Sequence, residues 1–119
     1  MNTIAKTHTI DATGKTVGRI ASEAAKALMG KMHASYTPNI LSDVKVTITN
    51  ASKIYTRERK QVRTKLTHYT GFHGGLRTVS LEALTKRSGS GAVIRRAIIR
   101  MMPRNRMHTS RMKNLTITG

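Results

Sequence analysis

The sequence has no cysteine and no tryptophan, and only one phenylalanine and five acidic residues in 119 positions. Without cysteine there is no disulfide framework and no thiolate metal site. The scarcity of aromatic residues leaves a mainly aliphatic core, which a single domain of this length and 38% hydrophobic content can still build. Five carboxylates scattered along the chain disfavour both acid–base catalysis by a carboxylate pair and two-metal nuclease chemistry. We therefore expect no enzyme, no cofactor and no bound metal.

Long apolar runs are also missing. No stretch approaches the length of a membrane span. The N-terminal "MNTIAKTHTI" lacks the apolar core of a secretory signal and is shorter than a typical transit peptide. The sequence therefore predicts neither a membrane partner nor secretion.

Positive charge is what the chain has in excess. Its 22 lysines and arginines give a formal net charge of +17. Residues 1–49 carry six basic and three acidic side chains, whereas residues 50–119 carry sixteen and two. A polyanion relieves self-repulsion of this size, so nucleic acid is the predicted partner. A solvated basic surface with no partner is the alternative, and an anionic membrane surface ranks well behind nucleic acid as a partner.

The apolar pattern predicts alternating strands and helices. Helical spacing indicates a helix from Thr16 to Lys31, with Thr13 as N-cap and Gly30 at its end. Alternation of apolar and polar residues predicts strands over 6–11 and 44–49. The segment "KIYT" is a candidate start of a third strand, and "LTIT" is predicted as the last strand of the chain. A short helix begins after Ser80, a second helix covers 92–102 until Pro103, and 57–67 is a basic arm. This order is typical of a single α/β domain over residues 1–119.

The segment "TGKT", residues 13–16, resembles the end of a phosphate-binding loop. The full motif needs a glycine five residues before the Gly-Lys pair. Thr9 stands there, so a nucleoside triphosphatase is disfavoured. A weaker interpretation is that Lys15 and Arg19, four residues apart at a helix start, hold one phosphate of a nucleic acid.

The stretch "THYTGFHGGLR", residues 67–77, is the candidate functional loop. His68 and His73 could be metal ligands, but a catalytic zinc site usually adds a third ligand and a positioned carboxylate. The glycines allow positive φ and close approach, while Tyr69 and Phe72 offer planar faces for stacking on RNA bases. The alternative is an ordinary glycine loop with its aromatic side chains packed on the domain.

Several segments together resemble a known family. "DATGKTVGRIASEAAKALMGK", "YTPN", "NASKI", "TGFHGGL" and "MMPRNR" occur in the order and spacing of the L-thirteen family of large-subunit ribosomal proteins, over roughly residues 9–117. The resemblance implies a three-layer α/β/α domain around a small, mainly parallel four-stranded sheet. It also implies a structural role, in which the protein binds large-subunit ribosomal RNA and supports early subunit assembly beside neighbouring ribosomal proteins, with no small-molecule substrate.

The chain departs from the family pattern at several positions. Residues 57–60 replace a usual Thr-Gly-Lys-Lys turn, Leu66-Thr67 replaces a tyrosine pair, Tyr69 replaces a histidine and Arg100 replaces a glycine. His108-Thr109 replaces a usual Gly-Arg, and most of the usual terminal extensions are missing. The resemblance is therefore to a short, divergent member, in the cytoplasmic ribosome of a prokaryote or, alternatively, in an organellar (mitochondrial) ribosome.

The basic residues and the resemblance together give the candidate RNA-binding residues. A non-ribosomal RNA chaperone or DNA-compacting protein would carry a similar charge and is the alternative function. The candidates are Lys15, Arg19, Arg57, Arg59, Lys60, His68, Tyr69, Gly71, His73, Gly74, Gly75, Arg77, Arg100, Arg104, Asn105, Arg106, Arg111 and Lys113.

Overall fold

The computed structural model of the protein describes residues 6–119, which contain five strands and five α-helices. A 3-10 turn, Ala51–Lys53, follows the second strand. None of the helices in this part of the chain is long and apolar enough to cross a membrane. The elements are β1 (Thr7–Asp11), α1 (Val17–Met29), β2 (Lys45–Thr49), α2 (Glu58–Arg63), β3 (Lys65–Tyr69), β4 (Leu76–Ser80), α3 (Leu81–Ser88), α4 (Ser90–Met101), α5 (His108–Lys113) and β5 (Leu115–Ile117).

Three of the strands form a parallel sheet with β2 in the centre, between β1 and β5. Ile10 lies opposite Ile48, and Val46 lies opposite Leu115, so that these side chains share one face. All four are buried, which places the aliphatic core on this face. The predicted α/β class is confirmed.

The sheet differs in two details from the one that the resemblance implies. In residues 6–119 three strands are parallel, and β3 and β4 form a separate antiparallel pair, so the sheet does not have four strands. The face opposite the core carries Thr9, Lys45 and Thr116, which are exposed. Threonine and lysine side chains give a helix little apolar surface to pack on, and within residues 6–119 no helical layer covers these three residues.

The first helix begins and ends close to the predicted residues. Thr16, not Thr13, is its N-cap residue, and its side chain makes no capping hydrogen bond. Gly30 ends it with a φ of 80°, and a β-carbon there would lie 2.9 Å from Cβ of Ser42. Glycine is therefore required at this position by both backbone conformation and space.

The fourth helix packs against α1 and completes the core. Ile94 and Ile98 are fully buried, as their helical spacing predicts. The same spacing predicts burial of Met101, but Met101 is exposed and Met102 is buried instead, because the helix ends at Met101 and the chain turns. Ser80 caps α3 as predicted, since its hydroxyl oxygen accepts a hydrogen bond from the amide of Ala83 at 3.2 Å.

Two of the sequence-based assignments fail between residues 53 and 67. "KIYT" does not form a strand, although Tyr55 makes one isolated parallel bridge with Thr16. The basic arm contains α2 and most of β3. Both elements are largely exposed, so the apolar pattern gave no signal for them.

The turn from β1 to α1 is built around the carboxylate of Asp11. Its Oδ1 atom accepts hydrogen bonds from the Thr13 amide at 3.0 Å, the Thr13 hydroxyl at 2.8 Å and the Asn50 side-chain amide at 3.1 Å. The Thr13 hydroxyl thus serves this turn and does not cap the helix. These hydrogen bonds, that of the Thr13 amide above all, lower the pKa of Asp11 from 3.8 to about 2.

A lowered pKa in the folded state gives a stability contribution that is present above about pH 4 and is lost as the pH falls toward about 2. We expect Asp11→Asn to lower the free energy of unfolding at pH 7 and the difference from the wild type to shrink between about pH 4 and pH 2. Urea unfolding across this range measures it. Asp43→Asn is the control, because Asp43 is exposed and accepts no side-chain hydrogen bond within residues 6–119. A difference that is constant with pH would contradict the role of the Asp11 charge.

Candidate RNA-binding surface

The candidate loop belongs to a β-hairpin that stands apart from the parallel sheet. Strands β3 and β4 pair antiparallel, with His68 opposite Arg77 and Tyr69 opposite Leu76. One side-chain hydrogen bond joins the hairpin to α4, in which the Arg96 guanidinium donates to the Thr67 carbonyl at 3.0 Å. At the open end of the hairpin the Leu81 amide donates to the Thr64 carbonyl at 3.0 Å and extends the pairing of the two strands.

The tip of the hairpin needs its glycines for two different reasons. Gly71 and Gly74 have positive φ angles of 91° and 71°. A β-carbon on Gly75 would collide with the Thr70 hydroxyl and lie 3.0 Å from the Phe72 carbonyl oxygen. The Gly75 amide donates to that same carbonyl and closes the turn. The glycines therefore set the shape of the tip.

The aromatic side chains of the hairpin point away from the core. Phe72 is 79% exposed and Tyr69 is 63% exposed, and His68 and His73 are exposed as well. The alternative, in which these side chains pack on the domain, does not agree with this exposure. His68 shares one face of the hairpin with Arg77, and Tyr69 shares the other face with Lys65. Each face thus carries a planar side chain on which an RNA base can stack and a cation that can neutralise a phosphate.

The two hairpin histidines have few partners for metal binding. No group of three or more histidine or acidic side chains that could hold a metal ion occurs in the part of the chain that the structure describes. His68 lies at the surface opposite the cation Arg77, whose charge disfavours a metal ion at this position.

The start of α1 carries the second group of candidates. Lys15 and Arg19 are both exposed. Lys15 Nζ lies 3.7 Å from Glu23, whose other carboxylate oxygen is 3.2 Å from Nε2 of His8. Arg19 has no ion pair within residues 6–119. The first turn of α1 contains no acidic residue, so the positive end of the helix adds to these charges.

The C-terminal candidates divide between surface and interior. Arg104, Arg106 and Lys113 are exposed, and Asn105 begins a turn because its Oδ1 atom accepts from the Met107 amide at 3.1 Å. Arg111 is only 3% exposed, which does not agree with the prediction that it contacts RNA. Arg111 lies on the buried face of α5 together with Met112, and its Nε atom has no hydrogen-bond acceptor within residues 6–119.

The protein's own carboxylates neutralise little of the positive charge on this surface. The described residues form two lysine–glutamate ion pairs and one histidine–glutamate contact, and two of these three share Glu23. The third joins Lys86 and Glu82 at 2.7 Å on α3. Exposed pairs of this kind contribute about 1 kcal/mol or less each. The remaining cations need an anionic partner or solvent.

Three candidate residues meet at one cavity. Arg57, Lys60 and Arg100 line a cavity of about 550 Å³ next to the start of α1. Arg96, which is not among the predicted residues, lines the same cavity and also holds β3. No sequence signal could have identified it, because the cavity is formed by segments far apart in the chain. Of the candidates, the structure thus brings Arg57, Lys60 and Arg100 together at this cavity, whereas His68, Tyr69 and Arg77 lie on the hairpin.

Comparison with known proteins identifies the family to which the chain belongs. The family model described as Ribosomal protein L13 matches residues 5–118. The chain belongs to the ribosomal protein L13 family. Membership in this family confirms that the protein is not an enzyme.

Individual relatives agree with the family match. The chain is 38% identical over 110 residues to a protein of Chlamydia caviae, covering 92% of this chain and 73% of the relative. It is 37% identical over 108 residues to a protein of Psychromonas ingrahamii, covering 91% and 75%, and 39% identical over 108 residues to one of Rhodopseudomonas palustris, covering 91% and 70%. All three relatives are named large ribosomal subunit protein uL13.

The geometry of the hairpin tip generates a prediction. We expect Gly75→Ala to distort the tip, because the new methyl group collides with Thr70, and to weaken RNA binding more than Gly74→Ala, where only the positive φ is strained. Filter binding to rRNA measures the order of the two variants. Thr70→Ala in the Gly75→Ala background should restore part of the affinity. Equal affinities of wild type and Gly75→Ala would show that tip shape is unimportant.

Proposed function

We propose that this protein is a structural constituent of the large ribosomal subunit that binds large-subunit rRNA and supports early assembly of the subunit. Residues 1–119 act as one domain, and neighbouring large-subunit proteins contact it in the assembled particle. The observation that carries the proposal is the family match over residues 5–118. The names of the relatives assign those proteins to the large subunit.

The surface supports the same function. The hairpin, the start of α1 and residues 104–106 present cations and planar side chains together with few carboxylates. Such a surface neutralises phosphates and stacks on unpaired bases. A free RNA chaperone or DNA-compacting protein would share the charge, but the family match favours the ribosome. The bacterial relatives favour the cytoplasmic ribosome of a prokaryote, with a mitochondrial ribosome as the alternative.

Sedimentation of cell extracts tests the ribosomal role. We expect the protein to co-sediment with large subunits in a stoichiometric amount and to stay bound through a high-salt wash, because its contacts combine shape and stacking with charge. Quantitative mass spectrometry of the gradient fractions measures this. Complete release at high salt, together with adsorbed basic proteins, would contradict the proposal.

The start of α1 generates a second test. We expect Lys15→Ala combined with Arg19→Ala to weaken rRNA binding. The slope of log affinity against log salt should fall by roughly 0.7–0.9 for each phosphate that is no longer neutralised. Both side chains are exposed, so the fold should be unchanged. Lys86→Ala is a matched control, because Lys86 is already paired with Glu82. An unchanged slope in the double variant would mean that these two cations face solvent.

A further inference from the structure

The cavity beside α1 has the size and lining of a ligand site. Its volume of about 550 Å³ lies within the roughly 300–1,000 Å³ of small-molecule pockets. The most buried lining residues, Leu81 and Val93, are apolar, and each is 6% exposed. Val17, Leu66 and Ala97 are half-buried and extend this apolar lining.

The exposed part of the lining is cationic and aromatic. Arg57, Lys60 and Arg100 are exposed at the cavity, together with the ring of Tyr55, which is 54% exposed. No carboxylate lines the cavity in the described part of the chain. A complementary ligand therefore carries an anion and also offers an apolar surface.

Arg96 adds a further cation to the lining of this cavity. Its Nη2 atom donates to the Thr67 carbonyl at 3.0 Å, which fixes one end of the guanidinium. Its Nε atom is shielded from solvent and has no acceptor within residues 6–119. The positive charge of this guanidinium adds to the attraction of the cavity for an anion.

We propose that this cavity receives one unpaired nucleotide of large-subunit rRNA. The base lies against the apolar lining and Tyr55, and its phosphate lies among Arg57, Lys60 and Arg100. A nucleotide combines a planar apolar face, polar edges and an anion, as the lining requires. An inorganic phosphate would leave the apolar lining uncovered, and an aliphatic peptide would leave the cations unneutralised.

This proposal rests on the proposed function, and an uncharged filling variant separates the two. Ala97→Leu places a larger side chain in the cavity and removes no cation. We expect it to weaken rRNA binding roughly tenfold, the effect of removing one stacked base, with a salt slope that falls by no more than the roughly 0.7–0.9 of one phosphate. Ala83→Leu is the matched control, because Ala83 is an exposed helical alanine outside the cavity, and it should bind rRNA like the wild type. Thermal unfolding checks that both variants are folded.

Direct probes keep the proposal testable if Ala97→Leu does not fold. In the otherwise unchanged protein, a photo-crosslinking side chain at Tyr55 should react with a single unpaired nucleotide of the protein's own large-subunit rRNA. Adenosine monophosphate should shift the NMR signals of Val93 and Leu66, whereas inorganic phosphate should not.

Three outcomes would overturn the proposal. They are wild-type affinity in a folded Ala97→Leu variant, crosslinks only to paired RNA or to a neighbouring protein, and identical NMR shifts with inorganic phosphate alone. In each of these cases rRNA binding by the wild type would leave the proposed function intact. Failure of the wild-type protein to bind rRNA at all would overturn both.

Discussion

Positive charge without compensating carboxylates is the constraint on which the rest of the structure depends. Twenty-two basic residues face five acidic ones, and Glu23 alone takes part in two of the three contacts between a carboxylate and a lysine or histidine in residues 6–119. Because surface ion pairs stabilise little, the fold depends on its aliphatic core. That core joins α1 and α4 to one face of the parallel sheet. The exposed cations are therefore available to bind an external polyanion.

The RNA-binding candidates lie mostly where this core does not reach. The hairpin of β3 and β4 is joined to α4 by the hydrogen bond from Arg96 to Thr67, and the side chains near its tip that could stack on bases are all exposed. Rigid elements thus position segments that need little burial of their own, as in many binding proteins. Arg96 connects the two regions, since it holds β3 and lines the cavity beside α1.

The core was predictable from the sequence because its signal is local. Apolar spacing identified α1 and α4, and Gly30 and Ser80 marked helix boundaries by their backbone and capping chemistry. The hairpin was missed because strands exposed on both faces show no apolar alternation. The burial of Arg111 and the cavity depend on packing between distant segments, which no local pattern contains.

If RNA, and not the protein's own carboxylates, neutralises the cationic surface, the exposed cations must be shielded in the large subunit. Chemical modification of lysine and arginine in the free protein and in intact large subunits, read by mass spectrometry, tests this most directly. We expect strong protection in the subunit of Arg77 on the hairpin and of Arg104 and Arg106, with Lys86 little changed. Equal reactivity of Arg77, Arg104 and Arg106 in the free protein and in the subunit would contradict neutralisation by RNA.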